Sequence, residues 1–166
     1  MAQFIPTPPA NYTPETRSGG CMCGNHRYEF TGAPVESLRV LSCNCEMCTD
    51  RGSLNLYVLS FVCPTCNWTR RLRYMKPSAL KWTKGSWETT SSYNWLSPYY
   101  EDYIHTKFCG NCGTFIGGAG EDYTMINSRT FDNINISKLI LQPFNARGRT
   151  AKMDAEEAAK KAAVDE

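Results

Sequence analysis

The side chains best suited to chemistry in this sequence are its cysteines. There are nine, Cys21, Cys23, Cys43, Cys45, Cys48, Cys63, Cys66, Cys109 and Cys112, and each has another within three positions. An odd number cannot pair completely within one chain. Clustered cysteines in a chain without a secretory signal more often bind metal or do redox work than form disulfides. Two pairs stand far apart, in CMCG (Cys21, Cys23) and FCGNCG (Cys109, Cys112), and a glycine follows each. Short spacing lets two thiolates reach one ion across a tight turn, and glycine supplies the positive φ such a turn needs. Four thiolates about 2.3 Å from zinc close a tetrahedral, structural site. This site would clip the start of the domain to its end, where a cross-link helps most.

The central run SCNCEMC supplies Cys43, Cys45 and Cys48. Three ligands from one loop leave the fourth tetrahedral position to water or substrate, as in catalytic zinc sites. The CPTC stretch offers two alternatives. Cys63 or Cys66 closes the central site, making both zincs structural, or the two form a redox dithiol. Two zinc ions per chain are expected.

These ligands must be positioned by short strands. Stretches rich in β-branched and aromatic residues, separated by Gly, Asn, Ser and Pro, predict a mainly β domain. The expected strands are Arg27–Thr31, Leu38–Ser42, Leu54–Phe61, Thr69–Met75, Ala79–Thr83, Trp87–Trp95, Ile104–Phe108, Thr114–Ile116 and Tyr123–Ile126. A short helix or turn is expected near Ile136–Leu141, and no long helix in the core. Residues 1–17, with four prolines, read as a flexible arm. Residues 18–145 read as the zinc domain. Residues 146–166 read as a charged Ala-rich tail, with Glu156–Lys160 and Glu157–Lys161 at helical spacing.

Composition excludes several classes. A net charge of +2 over 166 residues gives little field for nucleic acid, and Arg70, Arg71 and Arg73 read as a solvated strand face. No apolar run approaches the roughly 20 residues of a membrane helix, and the opening residues have no apolar signal core. A cytoplasmic location is expected, with neither nucleic acid nor membrane as partner. Oligomeric state is not fixed by these features.

GGCMCGNHRYEF, LSCNCEMC, HTKFCGNCGTFI and INSRTFDNI occur in that order. In this combination the chain, from about Gly19 to Leu141, resembles the glutathione-dependent formaldehyde-activating enzyme (GFA) family, grouped with centromere protein V. The resemblance implies a folded β-sheet domain of the β-tent type. It implies a structural zinc on Cys21, Cys23, Cys109 and Cys112, and a catalytic zinc on Cys43, Cys45 and Cys48. It also implies carbon–sulfur lyase activity on adducts of glutathione with formaldehyde or a related carbonyl. The chain departs from the family pattern after the central cluster, where residues 59–75, carrying CPTC, read as an insertion.

Zinc with three thiolates carries about one net negative charge and still binds a further thiol as thiolate. Glutathione is the expected co-substrate, and Arg129 is a candidate for one of its carboxylates, unless it pairs with Asp132. Two other readings stand beside this one. Water at the fourth position, with Glu46 moving a proton, would give a hydrolase of imine or carbonyl adducts, although the H-x-E and P-C-x-x-C signature of zinc deaminases is absent. A non-catalytic zinc module that binds a partner is the other, since fold does not settle function. His26 and His105 are candidate site acids or hydrogen-bonded structural histidines. Trp82, Trp87, Tyr93 and Trp95 are candidates for a pocket wall or for core packing.

Overall fold

The computed structural model describes residues 11–59, 77–99, 102–119 and 123–148. Ten short strands and one short helix follow in chain order: β1 (Glu15–Gly20), β2 (Arg27–Gly32), β3 (Arg39–Cys43), α1 (Glu46–Asp50), β4 (Asn55–Leu59), β5 (Leu80–Lys84), β6 (Ser91–Ser97), β7 (Asp102–Phe108), β8 (Phe115–Ala119), β9 (Tyr123–Asn127) and β10 (Ile140–Phe144). The architecture is mainly β in two sheets, as the sequence predicts. A three-stranded sheet runs β1-β2-β5, and a seven-stranded sheet runs β10-β3-β4-β9-β8-β7-β6. The pairings are antiparallel except β10 on β3, which is parallel. A Gly19–Phe131 bridge ties β1 to the segment after β9.

Period-two patterning explains the strands. In β2, Tyr28 and Phe30 are buried while Arg27 and Glu29 stay partly exposed. In β8 and β9 the alternation is finer in its consequences, because both faces of the seven-stranded sheet are covered. Ile116, Ile126, Leu54 and Leu56 join a large core with Tyr28, Phe30, Val35, Leu38, Val40, Phe131 and Leu139. Their immediate neighbours Phe115 and Met125 turn the other way, into a smaller cluster with Cys45, Met47, Cys48, Tyr99 and Ala146. One stretch of sheet is thus the wall between a structural core and a second buried cluster that holds cysteines. Burying a core side chain of this size contributes about 1.5–3 kcal/mol.

Four features differ from the sequence reading, and the first is that Trp87–Thr89 form a turn, so the strand expected from Trp87 begins only at Ser91. β1 begins at Glu15, inside the segment read as an arm; its residues are polar because the strand lies at a sheet edge, so periodicity gave no signal. β10 follows the 3-10 turn Ile136–Lys138, which fits the expected turn, but the strand itself was not anticipated. Its Ile140 and Leu141 are both exposed, so it lacks the alternation that marks a half-buried strand. The five-residue α1 is too short to show a helical period. The expected strand Thr69–Met75, Cys63, Cys66, the three arginines of that stretch and the tail beyond residue 148 lie outside the described residues. Leu59, the first residue of the stretch read as an insertion, is the last residue of β4.

Candidate metal centres

The first centre is built from two matching turns. Cys21 and Cys23 lie between β1 and β2. The Cys21 amide donates to the His26 carbonyl at 3.0 Å, and the Gly24 amide donates to the Cys21 carbonyl at 3.1 Å. Cys109 and Cys112 lie between β7 and β8. There the Cys109 amide donates to Thr114 at 3.0 Å, and the Gly113 amide donates to Cys109 at 2.8 Å. Gly24 and Gly113 have φ of 73° and 71°, the left-handed conformation that favours glycine. The two turns meet, and the Met22 amide donates to Thr114 Oγ1 at 3.2 Å across 92 residues of sequence.

The four sulfurs lie within 4.8 Å of one another. Cys21 Sγ is 3.5 Å from Cys23 Sγ, and Cys23 Sγ is 3.6 Å from Cys109 Sγ. A tetrahedron of thiolates at about 2.3 Å from zinc has edges of about 3.8 Å, so the donor set fits zinc in number, chemistry and spacing. Its surroundings favour thiolate at selected positions. A hydrogen bond from Thr114 holds the Cys112 thiol down at about 5. Asn111 lowers that of Cys23, and burial pushes Cys109 up to about 11. The His26 amide donates to Cys21 Sγ at 3.2 Å. Its buried ring lies edge-on to Trp82, with Nε2 3.3 Å from Thr89 Oγ1. His26 therefore supports the first cysteine turn.

The second centre sits on the opposite face of the large sheet. Cys43 ends β3, Cys45 caps α1 and Cys48 lies within it; their sulfurs also lie within 4.8 Å of one another. The helix turn creates this proximity, because the Cys48 and Thr49 amides both donate to the Cys45 carbonyl, at 3.1 and 2.9 Å. The Cys45 amide donates to Cys43 Sγ at 3.4 Å. Hydrogen bonds from the Cys45 and Cys48 thiols hold the Cys43 thiol well below its ordinary range. The same contacts push Cys48 and Cys45 up. Three thiolates together need a cation, and three soft donors so close suit zinc.

The surroundings of this cluster come from distant parts of the chain. Asn55, 1% exposed, donates from Nδ2 to Cys48 Sγ at 3.5 Å and to Ser53 Oγ at 3.3 Å. Its Oδ1 is buried without a partner among the described residues. Phe115, Met125, Tyr99 and Ala146 pack with the cysteines, and Trp95, Ile104 and Phe144 flank them. The end of β10 straps the loop. The Asn44 amide donates to the Phe144 carbonyl at 3.1 Å, Asn44 Nδ2 to Asn145 Oδ1 at 2.7 Å, and the Arg147 amide to Asn44 Oδ1 at 3.2 Å. Glu46 pairs with Arg147 at 3.2 Å and accepts the Tyr99 hydroxyl, which lowers its carboxyl below the usual range.

The remaining candidates divide. Trp82 and Trp87 pack edge-on, centroids 5.0 Å apart, against the large core. Trp95 flanks the three-cysteine cluster, 6.1 Å from Tyr99. Tyr93 is 54% exposed. His105 Nδ1 is 2.9 Å from Asn94 Oδ1 on the neighbouring strand, the hydrogen-bonded structural arrangement. Arg129 is exposed on the 3-10 turn Ser128–Thr130, and Asp132 pairs with Arg27 instead. Asn55, Tyr99, Arg51 and Arg147 were not anticipated. Asn55 alone left a trace, as a lone polar residue in the apolar run LNLYVL.

Comparison with known families agrees with this geometry. The family model for glutathione-dependent formaldehyde-activating enzyme, GFA, matches residues 16–145. The chain belongs to this family. No curated protein matches the chain. The GFA match spans both cysteine centres and ends within the strap, one residue before Ala146. The family is associated with glutathione-dependent activation of formaldehyde, and in this GFA chain both cysteine clusters can hold zinc. No helix among the described residues is long and apolar enough to cross a membrane.

Proposed function

We propose that this GFA chain is a zinc-dependent carbon–sulfur lyase acting on adducts of a thiol, glutathione foremost, with formaldehyde or a related small carbonyl. The observation that carries the reading is the contrast between the two centres. Among the described residues one offers four cysteines and the other three, on the far face of the same sheet and walled by apolar and aromatic side chains. Zinc bound there supplies a Lewis-acidic position that takes a thiol as its thiolate. Cys43, Cys45 and Cys48 hold the ion, and Asn55 orients the Cys48 sulfur. Trp95, Tyr99 and Phe115 shield the cluster from bulk water, which strengthens charge interactions within it. The reaction joins the thiol sulfur to the formaldehyde carbon and moves the thiol proton to the carbonyl oxygen; lyase turnover is the reverse. Arg129, with no ion-pair partner among the described residues, offers a cation to a substrate carboxylate. Cys21, Cys23, Cys109 and Cys112 hold the structural ion.

The hydrolase reading draws less support, because Glu46 is engaged by Tyr99 and Arg147 and so serves to hold the loop. The test is zinc per chain by native mass spectrometry, together with turnover of S-hydroxymethylglutathione, for the wild type and a Cys43→Ser, Cys45→Ser, Cys48→Ser variant. Two zincs falling to one, with loss of turnover, is the expected result. Full turnover by the variant, or turnover only of carbonyl adducts that contain no thiol, refutes the proposal.

A further inference from the structure

A thiolate entering a site that already carries about one net negative charge concentrates like charge in one place, which is costly unless a cation offsets it. Glutathione brings carboxylates as well. The three-cysteine loop has two guanidinium groups close to it. Arg147 is committed, since its Nε lies 3.2 Å from Glu46 Oε1. Arg51 has no carboxylate partner among the described residues.

Arg51 is nevertheless held in place. It caps the C-terminal end of α1 in helical conformation, three residues after Cys48, a spacing that puts two side chains on the same side of a helix. Its Cζ lies 5.5 Å from the centroid of the Phe115 ring and 6.0 Å from that of Tyr93, within the reach of cation–π attraction. Phe115 packs in the same buried cluster as Cys45 and Cys48, whereas Tyr93 is half exposed. The guanidinium is therefore stacked at the rim of the site, between its buried wall and solvent. Such a group has its planar fork ordered and its donors free for a carboxylate.

We propose that Arg51 docks a carboxylate of the thiol substrate, making the site selective for acidic thiols such as glutathione over neutral ones. This rests on the reading of the three-cysteine cluster as the thiol site. Arg51 would act as a specificity residue, with Tyr93 and Phe115 as its platform.

The test is calorimetric titration of the zinc-loaded full chain with glutathione and, separately, with 2-mercaptoethanol, which has no carboxylate. The variants are Arg51→Met, which keeps aliphatic packing over the rings, and Arg51→Lys, which keeps the charge but not the fork. Unchanged zinc content and near-ultraviolet circular dichroism establish that each variant is folded. Arg51→Met should weaken glutathione binding about tenfold or more and leave 2-mercaptoethanol within twofold. Arg51→Lys should fall between. Equal weakening of both thiols makes Arg51 a structural residue and overturns the proposal. So does unchanged glutathione binding, in which case Arg129→Gln identifies whether that cation takes the carboxylate. Wild-type protein that binds neither thiol refutes the thiol-site reading itself, a result distinct from the other two.

Discussion

The four-cysteine centre should dominate stability, and the difference from the three-cysteine centre can be worked out. Treated as a persistent cross-link between Cys23 and Cys109, 86 residues apart, the clip raises the free energy of the unfolded chain by about 4.6 kcal/mol on the loop-entropy relation. The Cys43–Cys48 link closes only five residues and gives about 2.1 kcal/mol on the same relation. Cys109 and Cys48 are both almost fully buried, 1% and 4% exposed, so serine at either position carries a similar burial cost, and the comparison isolates the loop term. For a chain of this size each kcal/mol shifts Tm by about 2–4 °C. Cys109→Ser should therefore lower Tm by about 9–18 °C, and Cys48→Ser by about 4–8 °C. The assay is thermal unfolding by circular dichroism in buffered zinc, with native mass spectrometry to confirm that each variant loses only its own ion. Equal losses, or a larger loss for Cys48→Ser, would show that the long-range clip is not what holds the domain together.

Other perturbations separate the two centres further. Asn55→Leu removes the donor to Cys48 Sγ and the unpartnered Oδ1 together, so Tm should change little while zinc affinity at the three-cysteine centre falls about 10-fold or more, read by chelator competition. Gly113→Ala meets no neighbouring atom but places a side chain at φ 71°; a loss of about 1–2 kcal/mol in denaturant unfolding is expected. At Glu36, burial opposes ionisation, but Arg17 Nη1 at 2.6 Å outweighs it and holds the carboxyl below its ordinary value. A depressed folded pKa stabilises above the unfolded value near 4.5, and that stabilisation is lost as pH falls through the folded value. Wild type and Glu36→Gln should accordingly differ in Tm at neutral pH and converge in acid; a constant offset across the titration would show that the ion pair is not responsible.

The cysteine centres were legible because ligand chemistry restricts residue type and spacing together. CMCG and CGNCG need sulfur, one or two intervening residues and a left-handed glycine, and Gly24 and Gly113 supply it. β2 was legible because one face meets a core, and β9 because its apolar residues are buried on both faces. β1 and β10 were not: β1 is built of polar residues and glycine, β10 exposes Ile140 and Leu141, and both hold their place at sheet edges by backbone pairing, which leaves no mark in side-chain type. The surroundings of the three-cysteine centre were the least legible part. Tyr99, Phe115, Phe144 and Arg147 converge on it from separate elements, and only the sheet order and the parallel docking of β10 bring them together. Arg51 in sequence is an ordinary arginine beside a turn glycine; its rings come from β6 and β8.

The sheet that separates the two cores also limits where this chain can vary. Phe115 and Ile116, like Met125 and Ile126, are adjacent residues committed to opposite sides. Gaining or losing one residue within β8 or β9 would exchange both sets at once, turning the structural core and the chemical one inside out together. Length can change freely only where a strand has already ended. Leu59 closes the β4–β9 register against Tyr123, so that register is complete before residue 60. The wall between the two centres is thereby the part of this chain least free to change its length.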